Sequence, residues 1–277
     1  MSIEPSIWND APFGPESLQL TGRVSVVTGA ARGLGRSTAL ALARFGSDVA
    51  ICDRDEEGLA TCRAEIEAIG RRCHVAVLDV REDAGVRDFL SAAKEALGSI
   101  DVLVNNAGGG FWSPFLEVSE KGEQALIREN FGSVTACIRH GVPHMNPGAS
   151  IVNITSIEAH RAGPGFAIYS AMKAAVANLT RTLSMELGPK KIRINCVAPD
   201  MIRTPGDEVL SGDADPMLPG VESASWPEEG HPDDCAAAVV FLAGDGARFI
   251  TGSTIHLDGG NYAAGGWKVR EDGRFAL

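Results

Sequence analysis

The sequence has few basic residues for its length and contains no long apolar run. Lys and Arg together number 25 against 36 Asp and Glu, so the 277-residue chain has a formal net charge of −11. This argues against nucleic acid or anionic membrane as the main partner, because both require a basic surface. No stretch reaches the roughly 20 apolar residues of a membrane span, and residues 1–20 lack the basic start and apolar centre of a secretion signal. We therefore expect a cytoplasmic protein.

The six cysteines lack the paired spacing that marks many metal and redox sites. No C-x-x-C pair occurs, and most of the cysteines lie within apolar stretches. We interpret them as small buried side chains in a reducing compartment. His140 and His144 share a helical face without a nearby acidic residue, so we expect no metal site.

The sequence does contain a regular alternation of short apolar runs and helical patterns. The apolar runs predict strands at Val24–Val27, Asp48–Cys52, Cys73–Val77, Val102–Val104, Ser150–Ile154, Arg193–Val197 and Thr254–Leu257. The helical patterns cover about Leu34–Phe45, Gly58–Ile69, Ala84–Leu97, Glu120–Met145, Ile168–Leu187 and Pro232–Leu242. Such alternation is typical of parallel strands joined by right-handed crossovers, with helices covering both sheet faces. The sequence therefore predicts an α/β fold, a doubly wound parallel sheet of about seven strands (a Rossmann fold).

No linker or internal repeat divides this pattern, so we predict one domain over residues 21–262. Residues 1–20 carry three prolines and little periodicity, which predicts an irregular N-terminal arm. The segment 200–231 is rich in Pro, Gly, Asp, Glu and Ser and is long for a connection in a compact domain. Such a segment is usually a functional loop or disordered, and we interpret it as a substrate loop. Residues 263–277 are interpreted as a C-terminal tail.

A glycine-rich turn, TGAARGLG at residues 28–35, follows the first strand and opens the first helix. Glycine lets the backbone turn sharply and approach a ligand closely. The helix N-terminus beyond it offers unpaired N–H groups to a pyrophosphate. The glycines are not spaced as G-x-G-x-x-G, and a purely structural turn is the alternative. The position in the α/β pattern favours nucleotide binding by Gly29, Arg32, Gly33, Leu34 and Gly35.

Asp53 ends the second strand, 18 residues after Gly35. A carboxylate at this position can accept hydrogen bonds from the adenosine ribose hydroxyls, and a solvated strand-end carboxylate is the alternative. It also repels a 2′-phosphate, so the sequence favours NAD over NADP. Arg54 and Arg32 keep the alternative open, because either guanidinium could reach a 2′-phosphate.

The ends of the third and fourth strands carry further candidate cofactor contacts. The Asp79 side chain could bind the adenine amino group, and the Val80 backbone could pair with an adenine ring nitrogen. The alternative is that Asp79 only stabilises a turn. Asn105-Asn106-Ala107-Gly108 places small residues against the strand ends, where α/β sheets bind ligands. We expect contacts from Asp79, Val80, Asn106, Ala107 and Gly108.

Three residues suggest proton-transfer chemistry. Tyr169 and Lys173 are four positions apart on a predicted helix and share a face. A nearby ammonium favours the phenolate, so such a tyrosine can exchange a proton with an alcohol or ketone near neutral pH. Ser156 lies just past a strand, 13 residues before Tyr169, and its hydroxyl could hold the substrate oxygen. The chain has only two tyrosines, the other being Tyr262, which makes a chance pairing with lysine less common.

In order and spacing these motifs resemble the short-chain dehydrogenase/reductase family, in its shorter single-domain branch. The resemblance rests on TGAARGLG at 28–35, NNAG at 105–108, Ser156 and Tyr169-x-x-x-Lys173, with Asp-Gly-Gly at 258–260. It covers about residues 20–262. Extended-branch epimerases have a differently spaced glycine turn, and related enoyl reductases place the lysine further from the tyrosine.

The resemblance implies a role for each matching residue. Tyr169 would be the general acid/base, Lys173 would hold the nicotinamide ribose and Ser156 would orient the substrate oxygen. Asn130 matches the asparagine that holds a water in the family's proton relay. Pro199, Ile202 and Thr204 match positions beside the nicotinamide. The family usually has Pro-Gly where this chain has Pro199-Asp200. An aspartate at this position could alter the substrate side of the site or the hinge of the loop. The family is usually tetrameric, which implies a homotetramer.

Several side chains would border a substrate in such a fold. Ser156, Glu158, Phe111, Trp112 and Phe166 fall on these segments, and an aromatic wall suits a bulky, ring-bearing substrate. Ordinary packing under loops is the alternative.

Three functions compete at this point. The first is NAD-linked interconversion of a secondary alcohol and its ketone, with an alicyclic or steroid-like substrate and Tyr169 as general acid/base. The second is an NADPH-linked carbonyl reductase, motivated by Arg32 and Arg54. The third is a non-catalytic dinucleotide-binding sensor, which would bind cofactor without turnover.

Overall fold

The computed structural model describes residues 12–200, 202, 204, 226–269 and 274–276. Seven strands form one sheet, and every neighbouring pair in it is parallel. They are β1 Val24–Thr28, β2 Asp48–Asp53, β3 Cys73–Val77, β4 Ile100–Asn105, β5 Met145–Ile154, β6 Arg193–Pro199 and β7 Thr254–Leu257. Their order across the sheet is β3-β2-β1-β4-β5-β6-β7. The predicted Rossmann-type doubly wound sheet is confirmed.

The order of the strands creates a crevice at the centre of the sheet. The chain builds β2 and β3 on one side of β1 and then crosses to build β4 on the other side. The loops that follow β1 and β4 therefore diverge beyond the carboxyl ends of two neighbouring strands. Ligands of open α/β sheets bind at such a switch point.

Helices cover both faces of the sheet and bury two apolar cores. The helices are α1 Gly33–Arg44, α2 Glu56–Ala68, α3 Asp83–Leu97, α4 Glu120–Ile127, α5 Ser133–Gly141, α6 Ala167–Leu187, α7 Pro232–Ala243 and a short α8 Asn261–Ala264. One core joins alternate strand residues such as Val27 to α1, α2 and α7. The other joins Val26 and its neighbours to α3, α5 and α6. Burial on both faces explains why the strands are almost continuously apolar.

The predicted long helix Glu120–Met145 is wrong in two respects. A single π-helical turn, Arg128–Gly132, separates α4 from α5. The helical region ends in a short 3-10 turn at Val142–His144, where Pro143 cannot continue the α-helical hydrogen bonding. Met145 then begins β5, because it pairs with Ile100 of β4.

Part of the predicted irregular N-terminal arm lies among the described residues. Residues Pro15–Leu18 form a 3-10 helix, and Leu20 is completely buried in the core that α1 and α7 share. This apolar anchor fixes the segment to the domain. Residues 1–11 lie outside the described residues, as do 201, 203 and 205–225 of the predicted functional loop.

The C-terminal tail forms a small antiparallel pair, β8 Lys268–Val269 with β9 Phe275–Ala276. Residues 270–273 and 277 of this tail lie outside the described part. Within the described ranges, no helix combines the length and apolar composition that crossing a membrane requires.

Candidate active site

The glycine turn is shaped by close backbone approaches that exclude side chains. Gly29 and Gly33 have φ values of +68° and +56°, in the left-handed region that favours glycine. A Cβ at Gly35 would lie 2.0 Å from the carbonyl oxygen of Gly29. Helix α1 begins at Gly33, and its N-cap residue Arg32 makes no side-chain capping bond. The N-terminal N–H groups of α1 therefore point toward the crevice without a side-chain cap, which fits a pyrophosphate.

Asn106 holds this turn in place. Its Nδ2 donates to the carbonyl oxygens of Thr28 and Gly29, both at 3.0 Å. The Thr28 hydroxyl in turn accepts the backbone N–H groups of Asn106 and Ala107. The side chain of Asn106, predicted to contact the cofactor, thus braces the loops after β1 and β4 against each other.

Asp53 lies at the carboxyl end of β2, beside the glycine turn. Its Oδ2 accepts the backbone N–H of Ala31 at 3.1 Å, and its Oδ1 accepts that of Arg54 at 2.7 Å. The Arg54 guanidinium lies 3.7 Å from the Glu129 carboxylate and is 60% exposed. Arg32 is exposed at the start of α1. The carboxylate is therefore fixed at the turn, and Arg54 is directed toward the π-helical turn.

Asp79 already has a strong partner within the described structure. Its carboxylate accepts hydrogen bonds from Arg81 Nε at 2.9 and 3.0 Å. These bonds hold the pKa of Asp79 below its usual range. Val80 beside it is buried. The predicted adenine contact would therefore share the Asp79 carboxylate with Arg81.

Lys173 is buried at the centre of the site, with 5% of its surface exposed. Its Nζ donates to the carbonyl oxygen of Ile154 at 3.0 Å and lies 5.5 Å from the centre of the Tyr169 ring. Desolvation lowers the pKa of Lys173 to about 8, against the opposing field of Glu129. The spacing on α6 thus places an ammonium beside the tyrosine, where it favours the phenolate.

Asn130 lies inside the π-helical turn and is completely buried. Its Nδ2 donates to the carbonyl oxygens of Gly109 at 2.8 Å and Leu126 at 3.0 Å, and its Oδ1 accepts the N–H of Gly109 at 3.2 Å. A Cβ at Gly108 would lie 2.8 Å from Asn130 Oδ1 and 3.1 Å from Lys173 Nζ. The turn thus brings Asn130, the NNAG segment and Lys173 together. The sequence pattern showed a continuous helix here and gave no sign of the π-turn.

Ser156 caps a short 3-10 helix, Ile157–Ala159, after β5. Its hydroxyl donates to Oε2 of Glu158, and the Glu158 N–H points back to Ser156 Oγ at 3.3 Å. Arg161 lies 3.4 Å from Glu158 Oε1 and 3.2 Å from Asp200 Oδ2. Asp200 also accepts a hydrogen bond from Asn261 at 2.6 Å. Sequence reasoning identified Ser156, Glu158 and the unusual Asp200 separately but missed Arg161, which joins them.

Aromatic side chains gather beside Tyr169. The Phe166 ring meets the Tyr169 ring edge-on, with 6.3 Å between ring centres. Trp112 is 62% exposed and lies over Gly165, where the backbone N–H of Ser113 donates to the Gly165 carbonyl at 2.9 Å. The Phe111 ring reaches Gly122 at the start of α4. The loop after β4 thus carries an aromatic surface to the mouth of the site.

The start of the predicted loop 200–231 reaches the glycine-turn side of the crevice. Ile202 is buried and forms a bridge with Gly230. A Cβ at Gly33 would lie 3.2 Å from Thr204 Cβ, so Thr204 covers the glycine turn. Pro199 ends β6. Among the described residues, no group of three or more His, Cys, Asp and Glu side chains is arranged to hold a metal ion.

The fold, the glycine turn and the Tyr169–Lys173 pair are consistent with an oxidoreductase that uses a nicotinamide dinucleotide, and comparisons with known proteins agree. A family model described as enoyl-(acyl carrier protein) reductase matches residues 29–261. Gluconate 5-dehydrogenase of Gluconobacter oxydans is 34% identical over 253 residues, which are 89% of this chain and 97% of that protein. The chain belongs to the short-chain dehydrogenase/reductase family.

Two solved structures show the likeness in three dimensions. A carveol dehydrogenase from Mycobacterium avium, in complex with NAD, has a TM-score of 0.83 and 29% identity, covering 88% of this chain and 99% of that one. A short-chain dehydrogenase from Burkholderia cenocepacia J2315, in complex with NADP, has a TM-score of 0.82 and 32% identity, covering 87% and 98%. Neighbours of this fold thus hold either dinucleotide.

Proposed function

We propose that the protein transfers a hydride between NAD(H) and a secondary alcohol or its ketone, with Tyr169 as general acid/base. The observation that carries this proposal is the buried Lys173 ammonium 5.5 Å from the Tyr169 ring. A buried cation beside a phenol favours the phenolate, which can accept the hydroxyl proton of an alcohol.

The remaining residues of the site position the reactants. Ser156 orients the substrate oxygen, and Lys173 holds the nicotinamide ribose. Asn130 fixes the NNAG segment through Gly109 and supports the proton relay. When bound, NAD supplies the hydride acceptor. The protein supplies orientation and electrostatics, and the glycine turn Gly29–Gly35 at the N-terminus of α1 holds the pyrophosphate.

We favour a bulky, ring-bearing substrate of alicyclic or steroid-like form. Phe111, Trp112 and Phe166 supply apolar surface at the mouth of the site. One structural neighbour acts on carveol, a ring-bearing secondary alcohol. The spacing of Tyr169 and Lys173 favours carbonyl chemistry over enoyl reduction.

The cofactor is assigned as NAD because the Asp53 carboxylate lies at the glycine turn and repels a 2′-phosphate. An NADPH-linked carbonyl reductase is the second candidate. The exposed Arg32 at the start of α1 and the NADP-bound neighbour favour it. Arg54 supports it less, since its guanidinium lies near Glu129.

The deciding experiment follows NADH formation from NAD with secondary alcohols that range from linear to fused-ring, with NADP in parallel. We expect turnover with NAD and ring-bearing alcohols. Turnover with NADP alone would replace the NAD assignment by the second candidate. Tight NADH binding without turnover of any alcohol would support a non-catalytic sensor instead.

A second test replaces the proposed acid/base. We expect Tyr169→Phe to lose alcohol oxidation while it retains NADH binding, because only the phenolic oxygen is removed. Tyr262→Phe is the matched control, since Tyr262 is the other tyrosine of the chain and stacks on His256. An unchanged rate in Tyr169→Phe would refute the role of Tyr169.

We also propose a homotetramer in a reducing compartment such as the cytoplasm. The six cysteines are all free, and five of them are buried, which supports a reducing environment. The tetramer follows from the family's usual assembly through the α4–α5 region and α6.

A further inference from the structure

Glu158 occupies an unusual place in the substrate site. Its Oε2 accepts a hydrogen bond from the hydroxyl of Ser156, the residue proposed to orient the substrate oxygen. A serine hydroxyl carries one proton, so it donates one hydrogen bond at a time. Glu158 therefore competes with the substrate oxygen for the only proton that Ser156 can donate.

The competing carboxylate is held in place by charge. Arg161 contacts Glu158 Oε1 at 3.4 Å and Asp200 Oδ2 at 3.2 Å. Asn261 donates to the same Asp200 oxygen at 2.6 Å, and the Asp200 N–H donates to the Leu257 carbonyl at 3.0 Å. Since Arg161 engages Oε1, Oε2 stays directed toward Ser156. The side chain of Glu158 is 23% exposed, so a substrate group at the mouth can reach it.

A substrate with a second hydroxyl resolves the competition. If that hydroxyl donates to Glu158 Oε2, its hydrogen bond replaces the one from Ser156. The Ser156 hydroxyl can then donate to the reacting oxygen. Ser156 Oγ and Glu158 Oε2 are hydrogen-bonded neighbours. Two gauche hydroxyls on adjacent carbons have a similar separation, so they can lie side by side on these two atoms.

We propose that Glu158 selects secondary alcohols with a hydroxyl on the adjacent carbon, which are oxidised to α-hydroxy ketones. This inference rests on the proposed function, because Tyr169 still accepts the proton of the reacting hydroxyl and NAD still accepts the hydride from its carbon. The adjacent hydroxyl keeps its proton, which it shares with Glu158. One alcohol becomes one ketone, and no further reactant is needed.

The local charge agrees with a hydroxyl donor as the recognised group. Glu158 and Asp200 both contact the guanidinium of Arg161. Glu158 Oε2, the carboxylate oxygen beside Ser156, favours a hydrogen-bond donor on the substrate and disfavours a substrate carboxylate. The Asp200 that replaces the family's usual glycine thus contributes indirectly, by fixing Arg161.

The test compares the cis vicinal diol of cyclohexane with cyclohexanol as substrates of the full-length enzyme with NAD. We expect kcat/KM, per reactive hydroxyl, to be about tenfold or more higher for the diol, as for a hydrogen bond to a charged group. In Glu158→Ala this ratio should fall to about one. The value for cyclohexanol should rise, because Ser156 is released from the carboxylate; a merely structural defect would lower it.

Two further variants define the control and a conservative change. Glu117→Ala removes an exposed carboxylate from the 3-10 turn after β4 and should keep the wild-type ratio. Glu158→Gln keeps the size and an acceptor oxygen without the charge, so its ratio should be intermediate.

The outcomes separate this inference from the proposed function. Equal kcat/KM for the two alcohols in the wild type, or the same ratio in Glu158→Ala, would overturn the role of Glu158 and leave the dehydrogenase proposal standing. Oxidation of ring-bearing mono-alcohols without oxidation of the diol would likewise overturn the role of Glu158 and leave the dehydrogenase proposal standing. Failure of every alcohol with NAD would overturn both.

Discussion

At the scale of single residues, Lys173 shows how the fold creates reactivity at a cost in stability. The helix spacing brings the ammonium to Tyr169, and the surrounding core removes it from water. Burial disfavours the charged amine and lowers the pKa of Lys173 to about 8. One hydrogen bond to the Ile154 carbonyl, at 3.0 Å, offsets part of this cost. Functional sites commonly contain such destabilising groups.

This burial predicts a specific pH dependence of the free energy of unfolding. Below about pH 8 the amine is protonated in both states, and the folded state bears the full cost of the buried charge. Between about 8 and 10.5 the folded protein loses this proton before the unfolded chain does, so stability rises with pH. Relative to Lys173→Met, the wild type should gain about 3 kcal/mol across this range.

Urea unfolding at a series of pH values measures this difference. Lys190→Met, which removes an exposed ammonium, is the control and should give a curve parallel to that of the wild type. Parallel curves for the wild type and Lys173→Met would show that Lys173 is not a strained ammonium in the folded state.

At the scale of elements, the glycine turn and the π-helical turn each bring groups of the candidate site into contact, in two different ways. The first brings two backbone segments together, since a Cβ at Gly35 would lie only 2.0 Å from the Gly29 carbonyl oxygen. The second inserts one extra residue per turn, which brings Asn130 to Gly109. π-helical turns often occur at functional sites for this reason.

Gly35→Ala tests the first of these elements. We expect weaker NADH binding and a loss of about 1–3 kcal/mol in the free energy of unfolding, because the turn must open to admit the methyl group. Isothermal titration and thermal unfolding measure the two effects. Gly85→Ala in α3 is the matched control, since its Cβ would meet only Leu78 at 3.9 Å. That variant should be more stable by up to about 1 kcal/mol, and equal behaviour of the two would contradict the steric explanation.

At the scale of the whole molecule, the strand order collects the site from distant parts of the chain. Residues after β1, β4, β5 and β6 meet at the carboxyl edge of one sheet. Helices α4, α5 and α6 lie along the chain between these strands and leave part of their surface exposed. Met185 on α6 is 78% exposed, which is the exposure we expect if α6 forms the proposed subunit contact.

The proposed homotetramer makes a direct prediction. Sedimentation equilibrium should give a mass of four chains of 29.1 kDa each. Met185→Asp should shift the assembly toward smaller species, because a charge would be buried in the α6 contact. Lys94→Asp on α3, outside the proposed contact, should leave the mass unchanged. A wild-type monomer would refute the assembly.

The amino-acid sequence alone determined the type of fold and the pairing of Tyr169 with Lys173. Strands such as the predicted Asp48–Cys52 follow from short apolar runs, and the Tyr169–Lys173 pair follows from helical spacing, because both patterns are local. Only the tertiary structure decided how distant groups pair. The π-turn at Asn130, the start of β5 at Met145 and the Glu158–Arg161–Asp200 chain depend on contacts between separate elements. Local periodicity carries no information about which side chains meet between separate elements, so the contacts of Asp200 with Arg161 and Asn261 depend on the fold.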